Sequence, residues 1–429
     1  MLKVLRKDAA ARELQRLLLA CRRLLSVRGE VNATSMAAEV LSQFEQLPPE
    51  RHLSFFRAIA QEFNPDPSAV LRAAQAYAQA PQAQRLIDLV KLSEPPRQEL
   101  FRRLNRAPGG TATLVRMRHS LLKLLERDAE LAAVEADMFH LLSSWFNPGF
   151  LEMQQVDWNA PAQLLELLIR HEAVHQIDGW DDLRRRLQPD RRCFAFFHPQ
   201  LPGEPLIFVE VALTADIPDA IGPLIDKQSV PLAPRQFKVA TFYSISNCQP
   251  GLRGVSLGNF LIKRVAQRLL RELPSVKTFC TLSPIPRFAA WLAQPMQTEV
   301  QQADAKRAKA EATARAALKP DAAAWAAQLS DWLPHKAGSA EREALLTLAA
   351  AYLTQAAGAR NTDPVANFHL GNGAKLYRIN WAADTSRKGI RQSAGMMVNY
   401  LYELDRVEEN HERFLRGEVV ASRTVGQLL

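Results

Sequence analysis

"RGVSLGNFLIKRV", residues 253–265, is the stretch on which the reading of this chain turns. It follows a run of strand-like sequence, places small residues at Gly254, Ser256 and Gly258, and leads straight into an amphipathic pattern. Backbone N–H groups at a loop-to-helix junction have no partner within the helix, and the helix dipole favours an anion there. A pyrophosphate fits such a junction. A tight strand-to-helix turn with no ligand fits it equally well, so the loop alone leaves both readings open.

Working outward, "CFAFFHP" (193–199), "PLIFVEVALT" (205–214) and "FKVATFYSIS" (237–246) are apolar or β-branched runs of strand length. Beyond the loop, helical spacing continues through "SLGNFLIKRVAQRLLREL" (256–273), and "TFCTLSP" (278–284) returns to strand. "KLYRINWAAD" (375–384) predicts a further strand and "SAGMMVNYLYEL" (393–404) a further amphipathic helix. Between them, about 296–357 is rich in Ala and Gln and reads as a helical insertion between core strands. The first half has a different period. "ARELQRLLLACRRLL", "RHLSFFRAIAQEF" and "TLVRMRHSLLKLLERDAELAAVEADMFHLL" place apolar residues at three- and four-residue spacing. "LPPE", "NPDP", "EPPR" and "APGG" punctuate them. The expected fold class is therefore α+β: an all-helical bundle over 1–189, then an α/β domain with a mixed sheet over 190–429.

Composition narrows the function. With 47% hydrophobic and 23% charged residues and no run of eighteen apolar ones, the chain reads as a globular protein without a transmembrane helix. The basic N-terminus is interrupted by Asp8 and Glu13 and continues as a structural helix, so a cytoplasmic location is expected. Cys21, Cys193, Cys248 and Cys280 are scattered, which excludes a disulfide framework and a CxxC metal site. The net charge of +9 favours an anionic partner. The basic residues are interleaved with acids even in the densest run, "DDLRRRLQPDRR" (181–192), and no nucleic-acid motif is visible. A polyanionic small molecule accounts for the charge without nucleic acid or membrane.

Three further stretches could carry chemistry. "HEAVH" (171–175) fits the HExxH pattern of zinc peptidases, but it lies at a helix end with no third ligand at a fitting distance. Histidines favoured by the dipole at a helix C-terminus explain it better. "TLSPIPRF" (281–288) ends a strand on Ser283, with Pro284 and Pro286 preventing strand or helix from continuing at once. Ser283 there either faces a ligand or caps a turn. "DPVANFHLGNG" (363–373) has neither a helix face nor strand alternation, and reads as a turn-rich loop carrying His369.

The loop at 253–258 approximates R/Q-x-x-G-x-G/A, the coenzyme A loop of the GNAT acetyltransferase superfamily, with Ser256 in place of the central glycine. More specifically, "GEPLIFVEVALT", "FYSIS", "GLRGVSLGNFLIKRV", "LSPIPRF", "DPVANFHLGNG", "RINWAADTSRKGI" and "GMMVNYLY" occur in the order and spacing of malonyl-CoA decarboxylase. The chain resembles that family across nearly its whole length. The resemblance implies a GNAT-like catalytic domain behind a helical oligomerisation domain, hence a homo-oligomer (dimer or tetramer). It also implies conversion of malonyl-CoA to acetyl-CoA and carbon dioxide without metal, biotin or other cofactor. Ser283 and His369 match the family's catalytic pair. Arg253, Gly254, Val255, Ser256, Leu257, Gly258 and Asn259 match its CoA segment, and Ser244, Tyr402 and Asn367 fall near the site. Relatives often carry an acid at Ser256 and Gln at Arg253.

Such chemistry suits these residue types. Loss of carbon dioxide from a malonyl thioester leaves an enolate, and the thioester is its own electron sink. What remains is to hold the carboxylate out of the carbonyl plane, stabilise an oxyanion and deliver a proton to carbon. A histidine titrating near the working pH would serve the last step. Two other readings stand beside this one: a GNAT acyltransferase using acyl-CoA and an amine acceptor, and a non-catalytic CoA-sensing scaffold.

Overall fold

A computed structural model describes residues 2–26, 32–255, 257, 261–295, 305–318, 322–327, 329, 332–355 and 363–429. They form two compact units, one of Met1–Glu152, Phe197–Leu206 and Cys248–Gly258, the other of Met153–Phe196, Ile207–Asn247 and Asn259–Leu429.

The first unit is helical. Its helices include Ala33–Gln46, Pro49–Glu62, Pro67–Gln79, Pro96–Asn105, Gly110–Leu122 and Leu131–Trp145. Three of these begin on a proline, whose fixed φ suits the first helical turn and whose missing N–H would have had no partner there. Leu17, Phe44, Phe55, Phe56, Ile59, Leu100, Phe101, Leu121 and Met138 are buried in one apolar core. The helices Pro67–Gln79 and Ala83–Ser93 differ, because neither buries a single residue.

The second unit is built on a mixed sheet. Among the described residues its strands are β1 (Glu152–Val156), β2 (Arg191–Phe197), β3 (Ile207–Thr214), β4 (Val239–Asn247), β5 (Thr278–Thr281), β6 (Ser283–Pro284), β7 (Lys375–Asn380) and β8 (Met397–Leu401). The order is β1-β2-β3-β4-β5-β8-β6, with β7 also on β8. Strands β2, β3 and β4 are antiparallel neighbours, and β4 and β5 run parallel. Between β3 and β4 the register passes from Glu210↔Ser244 to Val211↔Phe242, leaving Tyr243 as the extra residue of a bulge. The parallel pairing of β4 with β5 ends at Phe242↔Thr281. The Leu282 N–H still reaches the Phe242 carbonyl (3.0 Å), and then Ser283 pairs with Val398 of β8 instead. Beyond Phe242, therefore, no strand among the described residues pairs with that edge of β4.

The described parts of 296–357 contain the helices Ala305–Ala317, Ala322–Ala327 and Ser339–Leu353, in line with a helical insertion. Three local expectations are corrected. β1 lies within the region read as continuous helix. The stretch 393–404 holds strand β8, not a helix, because a short apolar run has no period of its own and pairing with β7 decides. The third is "DPVANFHLGNG", which contains a complete helix, Pro364–Gly371. The Asp363 carboxylate accepts from the N–H groups of Val365 and Ala366 (2.9 and 3.1 Å) and Pro364 opens the first turn. At the other end Gly373 N–H donates to Leu370 O and Ala374 N–H to His369 O, a Schellman cap. The turn-forming residues are the caps of a helix too short to show a period.

The basic run 181–192 is also an internal feature. Arg186 is buried and donates to Asp182 (3.0 Å), Glu210 (3.0 Å) and the His175 carbonyl (2.9 Å). Arg185 makes a two-pronged pair with Asp190 (2.8 and 3.0 Å), and Arg191 donates to the Leu224 carbonyl. Arg185, Arg186 and Arg191 are thus turned to partners within the second unit.

Gly373 generates a prediction. It has φ +78°, and a Cβ there would stand 2.0 Å from the Val407 carbonyl oxygen, whereas one on Gly371 would meet only Phe414 at 3.6 Å. Left-handed backbone on a non-glycine costs about 1–3 kcal/mol before any clash. Gly373→Ala should therefore lower the thermal midpoint clearly, with a stability loss above about 2 kcal/mol, while Gly371→Ala stays close to wild type. Equal midpoints for the two variants would contradict this account of the cap.

Candidate active site

Ser283 stands just past the point where β4 and β5 stop pairing, on the segment that stays paired with β8. It is buried, as are Thr281 and His369. Its hydroxyl lies 3.0 Å from His369 Nε2 and donates to Thr281 Oγ1 at 2.9 Å. On the far side of the imidazole, Nδ1 is 2.9 Å from the Tyr402 hydroxyl. The ring stacks on Tyr400, centroids 4.8 Å apart at 26°. The Tyr400 N–H and the Thr281 carbonyl complete the frame, the first donating to Thr281 Oγ1 and the second accepting from Asn399 Nδ2.

With the Ser283 hydroxyl directed to Thr281, its oxygen is left to accept from Nε2–H, which leaves Nδ1 to accept from the Tyr402 hydroxyl. Burial alone pushes the His369 pKa down to about 3, so the imidazole is neutral at ordinary pH. This corrects the expectation of a histidine titrating near the working pH. Burial likewise raises the Tyr402 phenol well above its usual value and keeps its proton on oxygen.

Of the sequence candidates, the fold brings Ser283, His369 and Tyr402 into one hydrogen-bonded chain. Asn367 lies on the same helix two residues before His369, so its side chain leaves from the opposite face. Ser244 is buried on the free edge of β4, where its hydroxyl donates to Glu172 Oε2 at 2.6 Å. Of the CoA segment, Arg253, Gly254, Val255 and Leu257 are placed in the first unit; Ser256, Gly258 and Asn259 lie outside the described residues. Thr281, Asn399 and Tyr400 were missed. Only the two-residue alternation Thr281, Ser283 could have flagged any of them, by putting both on one face of an extended segment.

The HExxH match does not build a metal site. Its helix ends at His171, and Glu172 is extended (φ −65°, ψ 105°), so the two histidines are not one helical turn apart. The Glu172 carboxylate accepts from Ser244, Ser246 and the N–H groups of Val174 and His175. His175 is pushed down to about 3 by burial and then by the charges of Arg186 and Lys388.

Comparison with known proteins gives the family of the chain. Residues 149–429 match the family model of the malonyl-CoA decarboxylase C-terminal domain, and residues 63–146 that of its N-terminal domain. The mitochondrial malonyl-CoA decarboxylase of Anser anser anser is 38% identical over 76% of this chain and 68% of its own length. That of Mus musculus is 36% identical over 75% and 68%. Among solved structures, the Rhodopseudomonas palustris malonyl-CoA decarboxylase is 45% identical with a TM-score of 0.82, covering 96% of this chain and 99% of its own. The Cupriavidus metallidurans malonyl-CoA decarboxylase is 38% identical with a TM-score of 0.75, covering 98% and 100%. With both of its halves matched and relatives aligned along most of its length, this chain belongs to the malonyl-CoA decarboxylase family.

Proposed function

We propose that Ser283 and His369, held by Thr281 and Tyr402, carry the decarboxylation of malonyl-CoA in this chain. The observation that supports this reading is the buried run of contacts from Tyr402 through His369 to Ser283, ending at the parting of β4 and β5. The reaction breaks the bond between the α-carbon and the carboxylate, moves that electron pair into the thioester as an enolate, and adds one proton to carbon. Ser283 and the Nε2–H of His369 are neutral donors which, turned from Thr281 and Ser283 toward the substrate, are suited to hold the carboxylate out of the carbonyl plane and to meet developing charge. A bound carboxylate beside the imidazole favours the protonated ring, so the proton delivered to carbon is taken up with the substrate. Because the thioester accepts the electron pair, no step needs a metal, biotin, pyridoxal or thiamine. The segment from Arg253 to Asn259 takes the CoA phosphates, with Gly254 at φ +84° in a backbone shape that disfavours a side chain.

The helical half, 1–189, is read as the oligomerisation domain. Leu86, Ile87 and Val90 on the helix Ala83–Ser93 are 43%, 45% and 58% exposed. Helices of this length are marginal alone in water, and a second copy of the chain covering this face would stabilise them.

His369→Asn and Ser283→Ala should each lower kcat by at least about a hundredfold while CoA binding changes little, since general acid catalysis is worth ~10²–10⁴-fold. If the two act as one relay, the double variant should be barely slower than the slower single variant; near-normal turnover in His369→Asn would sink the assignment. In ¹⁵N-histidine NMR of the free enzyme, the His369 ring should stay neutral from pH 8 to pH 5, because its lowered pKa puts protonation below that window. Titration centred near 6.5 would contradict a buried, neutral imidazole. Leu86→Glu combined with Val90→Glu should reduce the mass measured by light scattering to that of a smaller assembly, and an unchanged mass would place the contact elsewhere.

A further inference from the structure

Within the first unit, a buried arginine ties the loop 251–253 to a helix through backbone carbonyls as well as a carboxylate. Arg118, on the helix Gly110–Leu122, is 2% exposed. It donates to Gly251 O at 2.6 Å, to Arg253 O at 2.9 Å and to Glu135 Oε1 at 2.6 Å, and its guanidinium lies 5.3 Å from the centre of the Phe139 ring. Burying a guanidinium is costly unless its protons are satisfied, so this arrangement fixes the loop firmly against the helix. Gly251 allows the approach: a Cβ there would lie 1.9 Å from the Val115 carbonyl oxygen. Leu252, Val255 and Leu257 are buried beside it, while Arg253 and Gly254 are exposed.

Two consequences follow for the exposed side of the loop. The peptide joining Arg253 to Gly254 is trans, so a carbonyl turned in toward Arg118 sends the Gly254 N–H the opposite way. His119 follows Arg118 on the helix, and Lys123 stands one turn later as its C-cap. His119 is held below its ordinary range by burial, then by the charges of Lys123 and Arg253. Among the described residues neither Lys123 nor Arg253 has a carboxylate partner, and both are exposed, whereas His119 is half-buried and neutral. Two exposed cations and an imidazole able to donate a hydrogen bond, beside an outward N–H, are the chemistry of a phosphate site.

We propose that His119, Lys123 and Arg253, with the Gly254 N–H, bind a phosphate group of coenzyme A, and that Arg118 is the positioning residue that holds the loop in shape for it. This rests on the reading of residues 253–259 as the CoA segment. It gives the helical unit a part in substrate binding in addition to assembly. Either the 3′-phosphate or the diphosphate supplies the required dianionic oxygens, and truncated substrates separate the two.

The test compares kcat/KM of wild type and the double variant His119→Gln, Lys123→Ala on malonyl-CoA, malonyl-dephospho-CoA and malonyl-pantetheine. We expect the double variant to lose at least about tenfold on malonyl-CoA, as removal of charge-assisted hydrogen bonds does. Loss confined to malonyl-CoA supports the 3′-phosphate as ligand. Loss on malonyl-CoA and malonyl-dephospho-CoA that vanishes with malonyl-pantetheine supports the diphosphate. An unchanged value on malonyl-CoA, or an equal loss on malonyl-pantetheine, overturns the site. Gly254→Val, which strains the loop itself, is measured alongside by CoA binding. If it weakens CoA while the cation variant does not, the loop reading stands and this subsite falls; if it leaves CoA affinity untouched, the loop reading itself fails.

Discussion

Everything at the candidate active site depends on the point where β4 and β5 stop pairing. Parallel strands normally continue together until one of them ends, yet here β5 parts from β4 at Thr281 while its other edge stays in register with β8, from Cys280↔Leu401 on to Ser283↔Val398. Pro284 and Pro286 contribute, since neither can donate to a ladder. The bulge at Tyr243 turns β4 locally on its other flank. The result is an opened sheet beside which the hydroxyls of Thr281 and Ser283 and the His369 imidazole are buried. Such a gap can exchange water for a polar substrate group, and preorganised donors there act in a low-dielectric setting where they count for more than in water.

The free edge of β4 carries its own arrangement. Ser244 and Ser246, both buried, converge on the Glu172 carboxylate, and Lys388 ties the adjacent carbonyls of Ala173 and Val174. The segment that resembled a zinc-peptidase motif thus satisfies polar groups of an unpaired strand edge. The arginines of 181–192 serve the interior in the same way. Arg118, Arg185, Arg186 and Arg191 are all buried and partnered, so the dense basic run marks interior ion pairs and not a surface feature.

The sequence was most legible where its signal was local and long. Prolines marking helix starts, the apolar runs of β2 to β4 and the Ala-rich insertion each stated their structure directly. Legibility failed where tertiary contacts decide. The strand Met397–Leu401 reads like a helix until β7 pairs with it, and Pro364–Gly371 reads like a loop because an eight-residue helix is mostly caps. Ser283 and His369 were identified through resemblance to a family, since 86 residues separate them and no spacing rule links them. Tyr402 came from the same resemblance, while Thr281 and Asn399 emerge only once the strands are placed. The side chains proposed to hold a phosphate, His119 and Lys123, had no sequence signal at all, for a His and a Lys one turn apart at the end of a bundle helix are ordinary residues.

The most direct test of the central claim is to incubate the purified chain with malonyl-CoA and no amine acceptor, following the products by mass spectrometry, and to repeat it with Ser283→Ala and His369→Asn. The account predicts acetyl-CoA and carbon dioxide in equal amounts from the wild type, with the rate lost in both variants while CoA still binds. Malonyl-CoA that stays intact until an amine is supplied, or acetyl-CoA formed at wild-type rate by either variant, would contradict it.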